Sequence, residues 1–411
     1  MSKILVIGGG AAGLMAAYSA ALRGFDVTIA ERNEKVARKV MITGKGRCNV
    51  TNATDLKGLI NAVTADGRFL YSAFSMFSSE DTMNFFESAG VPLKIERGNR
   101  VFPVSDKAVD IVDALFKTAR SAGAKILNCR IKDLIIQDGV CLGAVTENGT
   151  EILADAVIVA TGGLSYPTTG STGDGYSMAR KAGHTVTELK PSLVSLIAQN
   201  GFCSQLSGLS LKNVEVSLYK GDNKKPVFTD FGEMLFTHLG VSGPLVLSAS
   251  AYIDDPLNNE YKLEIDLKPA LTEEKLDERI RRDFLKFSNK DFINSLNELV
   301  PKSMVPVIVN LSGIEPSKKV NQITKEQRAE LIKVLKHFTV NIKDLGPIEE
   351  AVITKGGIAL GEVDPKTMQS KIISNLHFAG EILDLDAFTG GFNLQIAFST
   401  GYSAGQGILK I

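Results

Sequence analysis

The chain opens on an apolar strand that runs directly into a glycine turn. Lys3-Ile-Leu-Val-Ile7 is followed at once by Gly8-Gly-Gly-Ala-Ala-Gly13, which places Gly8, Gly10 and Gly13 in the spacing G-x-G-x-x-G. The first glycine makes the tight turn, the second lets the backbone approach a pyrophosphate, and the third lets the next helix pack close to the strand. A helix from Ala11 to about Arg23 then aims its free N–H groups, Ala11 and Ala12 among them, and its positive dipole end at the phosphates. A second apolar run, Asp26-Val-Thr-Ile-Ala30, stops at Glu31, 18 residues after Gly13, where a carboxylate can accept the hydroxyls of an adenosine ribose. A glycine triplet alone is a weak signal. Strand, glycines, helix, strand and acid in one short unit point to dinucleotide binding.

Two other readings of this segment account for less. Ile4 to Leu22 is apolar enough for a signal peptide or a membrane span. It has one basic residue before it, three consecutive glycines inside it and no small-residue cleavage pattern before the next strand. A ligand-free glycine turn leaves the spacing of Glu31 unexplained.

With 411 residues, 44% hydrophobic and 22% charged, the chain has the composition of a soluble globular protein of about two or three domains. Its 46 acids balance 46 Lys plus Arg, which gives no electrostatic footprint for nucleic acid or an anionic membrane. The run Arg279-Ile-Arg-Arg282 has Asp277, Glu278 and Asp283 around it and reads as a solvated helix face. Cys48, Cys129, Cys141 and Cys203 form no C-x-x-C, and the four histidines, His184, His238, His337 and His377, are scattered. No metal site and no redox disulfide is expected, and reduced thiols suit a cytoplasmic protein. There is no G-x-x-x-x-G-K-[ST] loop.

Apolar residues at Ile111, Val112, Leu115, Phe116 and Ala119 predict a helix from about Ala108 to Ala122, followed by a strand from Lys125 to Cys129. Short strands at 131–136, 140–147 and 150–153, separated by Asp138-Gly139 and Asn148-Gly149, predict an antiparallel meander. Asp155-Ala-Val-Ile-Val-Ala-Thr-Gly-Gly163 is a second buried strand ending in glycines. From about Lys190 short strands dominate, and 272–340 reads as charged and helical, with Thr272-Glu-Glu as a helix start, helix continuing through Asp283–Leu299, and an amphipathic helix from Thr324 to Phe338. Glu350-Ala-Val-Ile-Thr-Lys-Gly-Gly357 returns towards the first domain. Strand, glycine loop and helix then follow over Asn375–Glu381, Gly390-Gly391 and Phe392 to about Leu409.

Three features favour FAD over a free nicotinamide. The chain returns late to a glycine loop carrying an acid, Ala379-Gly-Glu381, which suits ribityl hydroxyls. Ala160-Thr-Gly-Gly163 supplies a third wall. No second G-x-G-x-x-G appears after a strand.

Five stretches carry a resemblance to a known family. They are Val6–Glu31, Thr43-Gly-Lys-Gly-Arg-Cys-Asn-Val-Thr-Asn52, Ala160–Tyr176, Gly232–Pro244 and Phe378–Asn393. The chain resembles the BaiN/RdsA family of NAD(P)/FAD-dependent oxidoreductases, also described as aminoacetone-oxidase-type FAD-binding proteins. That resemblance implies an α/β fold: a glutathione-reductase-like, FAD-binding Rossmann domain built from both chain ends, with an inserted β-barrel-like domain and a helical subdomain. The expected division is 1–189 and 346–411 for the FAD domain, 190–271 for the β-rich insert and 272–345 for the helical part.

On this reading Arg32 follows the ribose acid, and the loop from Lys39 to Asn52 wraps FAD. Gly44 and Gly46 allow close approach, Arg47 neutralises the pyrophosphate, and Asn49 hydrogen-bonds phosphate, ribityl or the flavin edge. Ile131 is the adenine-side strand residue by analogy with the fold. Thr161, Gly162 and Gly163 line the crevice. Gly380 and Glu381 meet the ribityl chain with Asp386 as neighbour, and Gly391, Phe392 and Asn393 open the last helix towards the flavin. No catalytic residue is assigned. Cys48 is a thiol candidate, with buried packing as the alternative. His238 is an acid–base candidate, with a buried histidine holding the barrel against the FAD domain as the favoured alternative. Tyr166 and Tyr176 are similar cases.

The function expected is FAD-dependent hydride transfer on a small-molecule substrate, with NAD(P)H as possible transient donor. The alternatives are an amine oxidase using oxygen and a flavin-binding protein with a regulatory or RNA-modification-linked role. Oligomeric state is not legible.

Overall fold

Three elements follow one another as the glycine pattern requires: strand β1 (Lys3–Ile7), helix α1 (Ala11–Leu22) and strand β2 (Asp26–Glu31). In the computed structural model, which describes residues 1–64 and 66–409, β1 is the middle of a five-stranded sheet. The other strands are β3 (Lys125–Asn128), β4 (Ala156–Val159) and β5 (Leu376–Phe378), in the order β5-β4-β1-β2-β3. Every neighbouring pair is parallel, with Val6 opposite both Ile158 and Ile29. Parallel strands covered on both faces read as continuous apolar runs, and β4 is buried at all its positions. Ile4, Leu5, Val6 and Ile7 are likewise buried, each stabilising by roughly 1.5–3 kcal/mol. This is a Rossmann-type α/β sheet that draws strands from early and late parts of the chain.

The early and late parts also meet as helices. Helix α1 packs along the last helix, Phe392–Gly407, on small residues. A Cβ at Gly401 would lie 2.3 Å from the Ala12 carbonyl oxygen, and one at Gly405 2.6 Å from that of Ala16. The Ser19 hydroxyl donates to the Tyr402 carbonyl at 2.8 Å, and Arg23 donates to the carbonyls of Gly405 and Gln406.

The predicted meander is present as an antiparallel three-stranded sheet, 131–137, 140–146 and 151–153. Between 55 and 103 the sequence reading assigned no helix or strand. The structure has helices Leu56–Asn61, Tyr71–Met76 and Ser79–Ser88 there, and a hairpin of Leu93–Glu96 with Arg100–Pro103. A capping box of Ser78 and Asp81 starts the third helix, a signal visible in the sequence and not used.

The chain divides into two compact units, Met1–Ser192 with Ile348–Ile411, and Leu193–Pro347. The second unit is a closed six-stranded barrel with its helices, all sharing one apolar core. The helical stretch expected at 272–345 is therefore part of the barrel unit. Two corrections follow inside it. The helix starting at Thr272 is Glu273–Lys286 and does not continue to Leu299, because Phe287-Ser288-Asn289-Lys290 turns the chain and only a 3₁₀ turn at Phe292–Asn294 comes next. Phe338–Leu345, placed with the helices, is a barrel strand whose Phe338, Val340 and Ile342 alternate inward.

Candidate functional site

The residues that follow β1, β2, β3, β4 and β5 line one cavity of about 190 Å³ in the first unit. That is where open α/β sheets hold their ligands. Its wall after β1 is main chain. Gly10 caps α1 with no side-chain hydrogen bond, and no acidic residue occupies the first turn. The leading N–H groups of α1 thus have no partner within the helix, a standing anion site. A Cβ at Gly10 would meet nothing within 4 Å, so this glycine borders open groove. A Cβ at Gly13 would lie 1.9 Å from the Gly8 carbonyl oxygen, so this glycine serves helix–strand packing and does not line the cavity.

At the end of β2, Glu31 is buried and already engaged. Its Oε2 accepts from Gly9 N at 2.7 Å, and its Oε1 accepts from the backbone and side-chain nitrogens of Asn33 at 2.8 and 2.7 Å. These bonds fix the carboxylate rotamer and leave Oε2 with acceptor capacity for a ribose hydroxyl. Arg32, Arg130 and Ile131 line the same end.

The opposite end is built from side chains. Glu381 follows β5, and three other chain segments converge on its carboxylate. Lys39 Nζ donates to its Oε2 at 2.6 Å, Ser165 Oγ to its Oε1 at 2.6 Å, and Thr354 N to Oε1 at 3.0 Å. Lys39 also donates to Ser165 Oγ. Burial works against charge here, but the Lys39 ammonium and the hydrogen bonds outweigh it and hold the Glu381 carboxyl below its usual range. Gly163, expected to line the crevice, instead makes room for this cluster: its Cβ would lie 2.4 Å from Thr354 Oγ1 and 2.7 Å from Glu381 Oε1. Thr161 and Gly162 do line the cavity, and Thr161 Oγ1 is a buried polar atom without a hydrogen-bond partner. Gly380 and Asn393 line it too. The Asn393 amide is paired in both directions with the backbone of Ala387 and pins the entry of the last helix.

Other expected site residues lie elsewhere. Arg47 is engaged by Glu96 and Asp106, with its guanidinium 4.2 Å from the Phe102 ring centre, and it is not among the groove residues. Gly44, Gly46, Asn49, Gly391 and Phe392 are also outside the cavity lining. Asn49 nevertheless has a buried Oδ1 without a partner. Asp386 is buried under hydrogen bonds from Thr64 and Ser192 at 2.5 and 2.7 Å, away from the lining, and burial raises its carboxyl. Cys48 is fully buried in the loop after Thr43, and burial pushes its thiol up to about 12, so it carries no thiolate near neutral pH. His238 is exposed between two barrel strands, not buried as the favoured reading held. Tyr176 is buried and donates to the Glu381 carbonyl at 3.2 Å. Among the described residues no cluster of His, Cys, Asp or Glu fits a metal, and no helix is long and apolar enough to cross a membrane.

The sequence reading missed Asn33, Ser165, Thr354, Arg130 and Asp174. Asn33, Ser165 and Arg130 stood next to Arg32, Tyr166 and Ile131, which the sequence had singled out; Thr354 and Asp174 had no such neighbour among the candidate residues.

These features fit an elongated dinucleotide: uncapped amides and an open Gly10 for a diphosphate, a fixed acid for a ribose, and an unpartnered Thr161 hydroxyl on the wall. Residues 2–407 match the model of the HI0933-like protein Rossmann domain. The chain is 31% identical to a 3-dehydro-bile acid delta(4,6)-reductase of Clostridium scindens, over 99% of this chain and 98% of that one. It is 30% identical to a ribosomal RNA dihydrouridine synthase of Haemophilus influenzae, over 100% and 99%. A flavocytochrome c3 fumarate reductase in its open conformation shares the fold, with a TM-score of 0.53 at 18% identity over 99% of this chain and 78% of that one.

Proposed function

The chain belongs to the HI0933-like Rossmann family, a family of flavoprotein oxidoreductases, and we propose that it uses FAD, reduced by NAD(P)H, to add hydrogen to an electron-poor double bond of a small molecule. The observation that carries this is the groove itself, with its uncapped α1 terminus, open Gly10 and fixed Glu31. FAD, when bound, supplies hydride transfer at its N5. The chain supplies position and field. The amides at the start of α1 take the diphosphate, and Glu31, oriented by Gly9 and Asn33, takes the adenosine ribose. Lys39 and Glu381, which line the cavity with Thr161, would hold the ribityl chain, the remaining acceptor site on Glu381 Oε2 taking one hydroxyl. The last helix reaches the cavity at Asn393 and Leu394, and its first-turn N–H groups would favour negative charge on a reduced ring bound there.

The substrate class rests on the relatives. A bile acid delta(4,6)-reductase and a dihydrouridine synthase, matched almost equally well, are both named for adding hydrogen to an unsaturated ring. A small-molecule substrate suits the even charge balance of 46 acids and 46 bases. The second relative favours a ribosomal RNA substrate instead, and binding assays decide between the two.

Purified protein should be yellow and should bleach anaerobically with NADH or NADPH, then reoxidise on adding an unsaturated ketone. Colourless protein that rejects added FAD ends the proposal. Bleaching by a small amine and not by nicotinamides would assign an amine oxidase. Salt-sensitive, submicromolar binding of ribosomal RNA would move the substrate to RNA.

A further inference from the structure

A purine in this groove has no ring to lie against. Among the described residues lining the cavity there is no Phe, Tyr, Trp or His. Flat bases gain from flat neighbours, and a guanidinium group is the other planar side chain that stacks on a π face. At the Glu31 end the groove is lined by Arg32, Arg38 and Arg130. Arg38 is held by one hydrogen bond, to Asn33 Oδ1. Arg130 is held along its whole edge. Its Nε and one terminal nitrogen donate to the two oxygens of Asp174 at 2.9 and 3.1 Å, and its other terminal nitrogen donates to Glu147 at 3.2 Å. Asp174 is the first residue of the helix Asp174–Lys181, where the dipole favours a carboxylate, and it also accepts from Arg32 and from the Thr172 hydroxyl. Every nitrogen of the Arg130 guanidinium thus has a carboxylate acceptor, and the two-point pairing with Asp174 fixes the plane of the group, which stays 40% exposed at the groove.

We propose that Arg130, with its plane set by Asp174 and Glu147, is the base-stacking residue of this groove and the reason it takes an adenosine-containing dinucleotide without an aromatic wall. This rests on the FAD reading and extends it to a residue that neither the glycine motif nor the ribose acid identifies. Asp174 is a positioning residue, since it acts through Arg130 and Arg32.

The test is equilibrium binding to the apoprotein of FAD, ADP and FMN, the last of which lacks the adenosine. Arg130→Ala should weaken FAD and ADP in parallel, each by about tenfold, and leave FMN binding as in the wild type. Arg130→Lys should behave like Arg130→Ala, because an ammonium has charge but no plane. Asp174→Asn and Glu147→Gln should each cost about threefold for FAD and ADP, again sparing FMN; they carry the test if Arg130→Ala does not fold. Unchanged FAD and ADP affinities overturn the proposal, as does full rescue by Arg130→Lys, which would make the contact a charge alone. A wild-type protein that binds neither FAD nor ADP ends the FAD reading and this one together. A wild-type protein that binds both, with variants that bind them equally well, ends this one only.

Discussion

The two ends of the groove solve the same problem with opposite materials. After β1 the wall is peptide: amides at the start of α1, and glycines whose missing side chains are the functional feature. After β5 the wall is a half-buried ion pair, Lys39 with Glu381, satisfied by Ser165 and Thr354 from two further segments. A main-chain wall depends on local sequence and carries no charge to desolvate. A side-chain wall depends on long-range folding, and each member is costly to leave alone. The glycine end should therefore separate fold from ligand by position, whereas the Glu381 end should couple them.

The largest effect that sharpens this contrast is Gly13→Ala. Its Cβ would sit 1.9 Å from the Gly8 carbonyl, so the apoprotein should lose more than about 4 kcal/mol in urea unfolding or fail to fold. Gly10→Val, where nothing lies within 4 Å, should keep apoprotein stability within about 1 kcal/mol while weakening FAD by at least about 100-fold. Equal destabilisation by both would erase the distinction.

The side-chain end should respond next. Glu381→Gln leaves the half-buried Lys39 ammonium without its charged partner and should destabilise the apoprotein by about 2 kcal/mol as well as weaken FAD. Unchanged unfolding with reduced FAD affinity would make Glu381 a ligand contact and nothing more.

The strand that delivers Glu381 adds a pH dependence. His377, buried in β5 with Nδ1 3.0 Å from the Thr367 carbonyl, is held by burial at about 4 against an ordinary 6.5. The unfolded chain takes up this proton first, so stability is full above about pH 6.5 and falls as pH drops through 4, by about 3 kcal/mol for this group. His377→Gln should flatten that slope, and an unchanged slope would assign it to other groups.

The smallest effect belongs to Arg47. Its partners Glu96 and Asp106 are on the surface, so Arg47→Ala should shift the melting temperature by at most about 2 °C and change FAD affinity less than twofold. A tenfold loss of FAD would restore the pyrophosphate role read from the sequence.

These contrasts also explain what could be read in advance. The glycine unit was legible because everything it does is decided within one short stretch: turn, amides, close packing, acid. Glu381 was recognisable as an acid after a late glycine loop, but its partner lies 342 residues away and Ser165 and Thr354 have no motif. Arg47 looked like a phosphate ligand because it sits in a glycine loop; the acids that claim it are on a distant hairpin and turn. Phe338–Leu345 was lost to the amphipathic helix before it, since two periods met without a glycine or proline between them. Arg130 was invisible because a lone arginine beside a strand has no signature until Asp174 and Glu147 arrive from other segments.

The pairing of Ser19 with Tyr402, 383 residues apart, has a consequence for biosynthesis. Helix α1 leaves the ribosome early with its small-residue face bare and stays so until the last helix is translated, by which time the whole barrel segment has emerged. The barrel unit can complete its core on the nascent chain, while the flavin cradle is a late, high-contact-order event. Cofactor capture thereby waits for the helix Phe392–Gly407, and a polypeptide terminated before it would present an apolar α1 to chaperones and proteases.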